Sequence, residues 1–386
     1  MAARLPEQTD DELYGVLRPH EVPWRDRQQF LEACGYMLRP RYRPGWTPSW
    51  RATGGEPLDC EDGAPLPPQE HLIDAVRVSD SMLVYIKRVR TGDNESQIAT
   101  RLSSAPLRDD PRNHCVPILH IFRDADDESI FYMVMPFLRL INRPPFETIE
   151  NVVDFIDQVL EGLVFLHQQG VAHHDCTFMN IMMDANSLYP QGFHPVRTFC
   201  LPDGNMMAWP LPRTDKPIKY YFIDFGISVD FPPDATSRLV LGEKGRDQDV
   251  PELSNVVPYD PFKVDIFIVG NLLLHQFYTN YVNLGFLLPL IESMTRLEPD
   301  ARPDAEEALA LWVDLRRSIW TIQRRWRLKP LDEMWIAHAV RDIRFLIHAT
   351  VYLCKKTFGW MVDLSGRLSI VVYLFLVVMF AKLLQL

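Results

Sequence analysis

Glycine is scarce in this 386-residue sequence, 18 against 31 prolines, so its loops are expected to be long and stiff rather than flexible. Paired cysteines are missing too. Cys34, Cys60, Cys115, Cys176, Cys200 and Cys354 lie far apart with no C-x-x-C, which indicates neither a zinc site nor a disulfide framework. A reducing compartment is the default expectation. Positive charge is in deficit: 40 Lys and Arg against 51 Asp and Glu leave a net charge of −11, which argues against a partner held through nucleic-acid phosphates. MAARLPEQTDDELYG holds no apolar run, so no secretory signal is expected. No internal repeat is visible. The remaining composition, 47% hydrophobic and 24% charged, is that of a globular chain and excludes a disordered or collagen-like one. Length alone allows two or three domains, or one large bilobal unit.

Patterning divides the chain. Residues 1–70 are turn-rich, with LRPRYRPGWTPSW and ATGGEPLDCEDGAPLPPQE, and read as an arm lying over a neighbouring domain or as a linker. In residues 71–138 three short apolar runs, SMLVYIKRV, VPILHIF and SIFYMVMPF, predict a small antiparallel sheet, and ESQIATRLSS predicts a short helix. Residues 139–330 change period. Ile149, Val152, Val153, Ile156, Val159, Leu160, Leu163 and Val164 line one face of a helix that Gly170 is placed to stop. Two strand-like runs, NIMM and KYYFIDF, flank a proline-rich insert over 187–217, which reads as a docking element or a tolerated surface loop. Helical spacing returns from Phe262. Residues 331–367 read as a linker with an amphipathic stretch, and 368–386 as nineteen nearly continuous apolar residues.

The chemistry concentrates in VAHHDCTFMNIMMD and YYFIDFG. His173, Asp175 and Asn180 stand in the spacing H-x-D-x-x-x-x-N, followed by Asp224, Phe225 and Gly226. This set resembles the catalytic loop and metal-binding turn of the protein kinase superfamily. VPE at 250–252, Asp265 and Gly270 in VDIFIVGN, and Arg302 in PDARPDAEEAL resemble further kinase elements in the right order, with Arg302 the expected partner of Glu252. Upstream, LVYIKRV resembles the strand pattern V-A-I-K. The resemblance implies an α+β, bilobal kinase-like fold that binds ATP and magnesium. Asp175 would be the base, and Asn180 and Asp224 the metal ligands. Lys87, paired with Glu95, would contact the phosphates. Met135, Pro136, Phe137 and Leu138 would form the hinge that meets adenine, although a plain core reading suits these apolar residues equally well. His173, Phe225, Gly226, Glu252, Asp265 and Arg302 would be structural. The arm, GYMLRPRYRPGWTPSW, and DPRNHCVPI also resemble uncharacterised kinase-like proteins of mushroom-forming fungi.

Three departures stand out. No G-x-G-x-x-G lies between Trp50 and Lys87, His174 replaces the arginine usual before the catalytic aspartate, and Thr177 stands where serine/threonine kinases keep a lysine. Two functions are therefore expected in turn: phosphorylation of protein Ser or Thr hydroxyls, or a pseudokinase acting as a nucleotide-binding or scaffolding module. The apolar stretch 368–386, about 28 Å as a helix against a hydrocarbon core of roughly 30 Å, is expected to be a tail anchor holding the chain on the cytosolic face of an intracellular membrane. A helix packed on the large lobe of a cytoplasmic protein is the alternative.

Overall fold

The computed structural model describes residues 9–334, 339–343 and 345. Four short helices, α1 (Asp10–Tyr14), α2 (Val22–Asp26), α3 (Gln28–Ala33) and α4 (Trp50–Thr53), belong to the arm. A five-stranded antiparallel sheet follows, in the order β1-β2-β3-β5-β4. Its strands are β1 (Tyr36–Met37), β2 (Leu72–Arg77), β3 (Met82–Arg90), β4 (His120–Arg123) and β5 (Ile130–Pro136). The arm thus supplies the first strand, with Tyr36 opposite Arg77 and Met37 opposite Val76. Residues 38–71 form the connection from β1 to β2, and they are built on helical turns rather than a tight glycine hairpin.

The arm is fastened by burial and charge. Trp24, Leu31, Tyr36, Leu38, Tyr42 and Leu66 pack on Ile73, Val84, Ile86 and Val134 of the sheet. At its centre Arg41 donates to both oxygens of Glu21, at 3.0 and 3.1 Å, and both side chains are fully buried. A buried charge pair needs such saturation, because stripping the two ions of water costs several kcal/mol each. Tyr42 and the backbone N–H groups of Arg18 and Leu66 also donate to the Glu21 carboxylate.

Helix α5 (Asn94–Leu102), capped by the Asp93 side chain on Ser96 N–H, buries Ile98, Ala99 and Leu102 in one core with Val89 and Met133 of the sheet. Beyond β5 the chain passes into a helical half. β6 (Arg139–Leu140) pairs with β8 (Ile181–Asp184), and β8 with β9 (Lys219–Phe222). Helix α6 (Ile149–Gln168) starts at a Thr148–Asn151 capping box and buries all eight apolar positions of its predicted face. It stops at Gly170, where φ is +74° and a Cβ would lie 2.5 Å from the Phe231 carbonyl oxygen. β7 (Val171–Ala172) then pairs with β10 (Val229–Asp230), and β11 (Val240–Gly242) with β12 (Ser254–Tyr259). Helices α7 (Pro261–Leu273), α8 (Leu288–Met294), α9 (Ala305–Ser318) and α10 (Thr321–Arg324) complete the described fold. This mixed α/β architecture, a curled sheet against a helical body, is compatible with a kinase-like fold.

The insert over 187–217 is not a bare surface loop. Leu188, Tyr189, Phe193 and Cys200 are buried, and the Phe193 ring lies 5.5 Å from that of Phe137. The Arg139 guanidinium lies over both Tyr189 and Phe193, 4.5 Å from each ring centre. Its far side meets the arm: His194 Nε2 is 3.3 Å from Glu61 Oε1. Arm and insert therefore bridge the sheet and the helical half.

The expected tail anchor is corrected. Among the described residues no helix is long and apolar enough to cross a membrane. Segment 368–386, on which the anchor rested, lies outside the described residues, as does most of 331–367. Placement on the cytosolic face of a membrane is accordingly withdrawn.

Candidate active site

Lys87 lies in β3 opposite Leu72 of β2 and Met133 of β5. Its side chain points into the cleft, where Nζ donates to Glu95 Oε1 and, at 3.1 Å, to Asp224 Oδ1. Glu95 sits in the first turn of α5, so the eight-residue interval from strand to helix is long enough for the pair to form. Burial works to lower the Lys87 pKa. The charges of Glu95 and Asp224 outweigh it and hold the ammonium above its ordinary value. Burial likewise pushes the Asp224 carboxyl up, and Lys87 beside it brings it below the ordinary carboxylate value. Asp224 adopts φ +64°, and its side chain is 45% exposed. Phe225 anchors the turn, buried with its ring 5.1 Å from that of His173.

Asp265 on α7 shapes the catalytic-loop candidate. Its buried carboxylate accepts the backbone N–H of His173 at 2.8 Å and of His174 at 2.6 Å, and the third ligand is His167 Nε2 at 3.0 Å. Burial raises the Asp265 pKa, but these bonds, led by that of His167, leave it below the ordinary value. His173 is held as a neutral ring. Its Nδ1 accepts Asp175 N–H at 3.3 Å, so Nε2–H donates to the Ile223 carbonyl at 3.0 Å, and burial keeps its pKa low.

Asp175 and Asn180 meet directly. Asn180 Nδ2 donates to Asp175 Oδ2 at 2.7 Å and to the Asp175 carbonyl at 2.9 Å, which turns the amide oxygen away as the remaining ligand atom. Asp175 Oδ1 accepts the backbone N–H of Arg246 at 2.8 Å. Among the described residues no group of three or more His, Cys, Asp or Glu is placed to hold a metal ion. Asp224 and Asn180 offer two hard oxygen ligands, which suits magnesium because that ion keeps its waters and takes phosphate oxygens from a substrate.

Glu252 and Arg302 form a bidentate pair, with Nη2 to Oε2 at 2.9 Å, that ties the chain just before β12 to the chain just before α9. Gly226 follows Asp224 closely enough that a Cβ would lie 3.4 Å from Asp224 Oδ1. The hinge candidates are mostly packed. Pro136, Phe137 and Leu138 are buried, Met135 is half-buried, and the Tyr85 ring stacks on Phe137 at 4.4 Å. Tyr85 is two residues before Lys87 and so shares its face of β3.

Three participants carried no signal in the sequence. His167 has no motif spacing, and Arg246 lies in an irregular stretch. Tyr259 accepts from His174 Nε2 at 2.9 Å and donates to the Gly242 carbonyl at 2.7 Å, so His174 ties the loop to the β11–β12 hairpin. Burial holds the His174 pKa down, which suits this neutral role.

No protein-family model matches the chain. A stretch of 120 residues is 28% identical to the serine/threonine-protein kinase CAK1 of Saccharomyces cerevisiae, and covers 29% of this chain but 26% of that protein. The chain thus spans only about a quarter of the length of the curated relative it matches. The likeness to fungal kinase-like proteins gains nothing from this comparison. Weak and partial as it is, the similarity reaches the protein kinase superfamily and nothing narrower.

Proposed function

We propose that this chain is a divergent protein kinase, transferring the γ-phosphoryl group of ATP to protein Ser or Thr hydroxyls with magnesium. The observation that carries the reading is Lys87 held between Glu95 and Asp224, with Asp175 bonded to Asn180 in the same cleft. Magnesium, when bound, would neutralise charge on the phosphates. Asp224 and the Asn180 amide oxygen would hold it. Lys87 keeps its charge, because two carboxylates face it, and presents that charge to the nucleotide phosphates. Asp175 would accept the proton of the acceptor hydroxyl, its carboxylate oriented by Asn180 and the Arg246 N–H.

The Tyr85–Phe137 stack favours a second reading. A flat base entering beside Met135–Leu138 would share space with it, as expected of a scaffolding pseudokinase.

Thermal-shift titration with Mg-ATP, followed by phosphotransfer, separates the two. The kinase reading expects a rise in melting temperature that Asp224→Asn abolishes, and turnover that Asp175→Asn lowers by roughly 10²–10⁴-fold while nucleotide affinity stays. Nucleotide binding with no turnover in the wild type would favour a nucleotide-binding pseudokinase. No nucleotide binding at all would sink the kinase reading and leave the scaffolding one.

A further inference from the structure

Phosphoryl transfer spreads negative charge over the equatorial oxygens of the moving group, so a site needs cations aimed at that point. In the phosphotransfer reading Lys87, paired with Glu95 and Asp224, already serves the nucleotide phosphates. Thr177 supplies no charge, and its hydroxyl oxygen is buried without a hydrogen-bond partner. Arg246, between β11 and β12, meets Asp175 twice. Its backbone N–H donates to Oδ1 at 2.8 Å, and its Nε lies 3.7 Å from Oδ2.

The neighbours of Arg246 hold it there. Gly245, at φ +140°, comes so close to the catalytic loop that a Cβ would stand 3.4 Å from the His174 carbonyl oxygen. Asn271 on α7 donates to Asp247 Oδ2 at 2.9 Å. The backbone is thus pinned on both sides, while the Arg246 side chain is 57% exposed beside a carboxylate that is only 12% exposed. A planar guanidinium so placed can offer two parallel N–H donors to phosphate oxygens.

We propose that Arg246 is the cation that meets the transferred phosphoryl group beside Asp175, in place of the charge that residue 177 lacks. This rests on the phosphotransfer reading. The acceptor hydroxyl oxygen bonds to the γ-phosphorus as the bond from that phosphorus to the bridging oxygen breaks. The electron pair leaves with ADP, the hydroxyl proton passes to Asp175, and the Arg246 guanidinium donates to the equatorial oxygens between them.

The test uses the full chain with Mg-ATP, reading ADP release and, separately, the affinity for Mg-ADP with and without aluminium fluoride. Arg246→Ala keeps the backbone bond to Asp175. It is expected to lower kcat about 10²-fold, as loss of one transition-state donor does. It should weaken the fluoroaluminate complex and leave Mg-ADP binding alone within about twofold. Thr177→Lys placed in the Arg246→Ala chain should restore part of kcat, and Arg246→Lys should retain part. An Arg246→Ala chain with wild-type kcat overturns the inference and leaves the kinase reading standing. Faster turnover also overturns it, by showing Arg246 to be a block on Asp175. A wild type without turnover overturns both.

Discussion

Glu21 accepts five hydrogen bonds inside the arm, and no water reaches it. Burial pushes its carboxyl pKa up, but the N–H donors of Arg18 and Leu66 and the charge of Arg41 hold it below the ordinary glutamate value. A carboxyl with a depressed folded pKa stabilises above its unfolded pKa and loses that contribution as pH falls through the folded value. Glu21→Gln should therefore flatten the acid limb of a stability-against-pH curve measured by urea unfolding. It should also cost about 3–5 kcal/mol near pH 7, since Arg41 is left buried without a counter-charge. An unchanged acid limb would contradict this account. At this scale legibility depends on chain distance. Asp175, Asn180 and Asp224 are readable as candidates because they stand in short motifs that resemble the protein kinase pattern. Arg246 is not, since 71 residues of sequence separate it from the carboxylate it meets.

Elements were legible where one periodic face is buried. The α6 stripe is an example, because 3.6-residue spacing and burial against a single core are the same fact. β1 was not legible: two residues carry no period, and only pairing with β2 makes them a strand. The chain leading into β12 depends on long-range ties of this kind. Arg302, fully buried, donates to both oxygens of Glu252 and to the carbonyls of Arg296, Lys263 and Leu297. Glu252→Ala would leave that guanidinium uncompensated. The expected loss is about 3–5 kcal/mol in urea-unfolding free energy. A loss below about 1 kcal/mol would mean that the carbonyls alone satisfy Arg302.

For the whole molecule, the arm decides whether the sheet has a covered face. Removing residues 1–70 would strip Trp24, Leu31, Tyr36, Leu38, Tyr42 and Leu66 from Ile73, Val84, Ile86 and Val134. Burial of each large apolar side chain is worth roughly 1.5–3 kcal/mol, so the sum rivals a domain's net stability of about 5–15 kcal/mol. The truncated chain should show no cooperative thermal transition by circular dichroism. A melting temperature within about 2 °C of the full chain would refute the arm's structural role.

Motif order, through its resemblance to the protein kinase pattern, by itself determined the class of chemistry to look for and the candidate residues, because those signals lie in short stretches of chain. The tertiary structure decided the rest. It made the arm part of the sheet, joined β1 to β2 through residues 38–71, packed the insert against Phe137 and set Arg246 on Asp175. Those outcomes rest on contacts between residues far apart in sequence, where burial and charge pairing, rather than local spacing, determine the geometry.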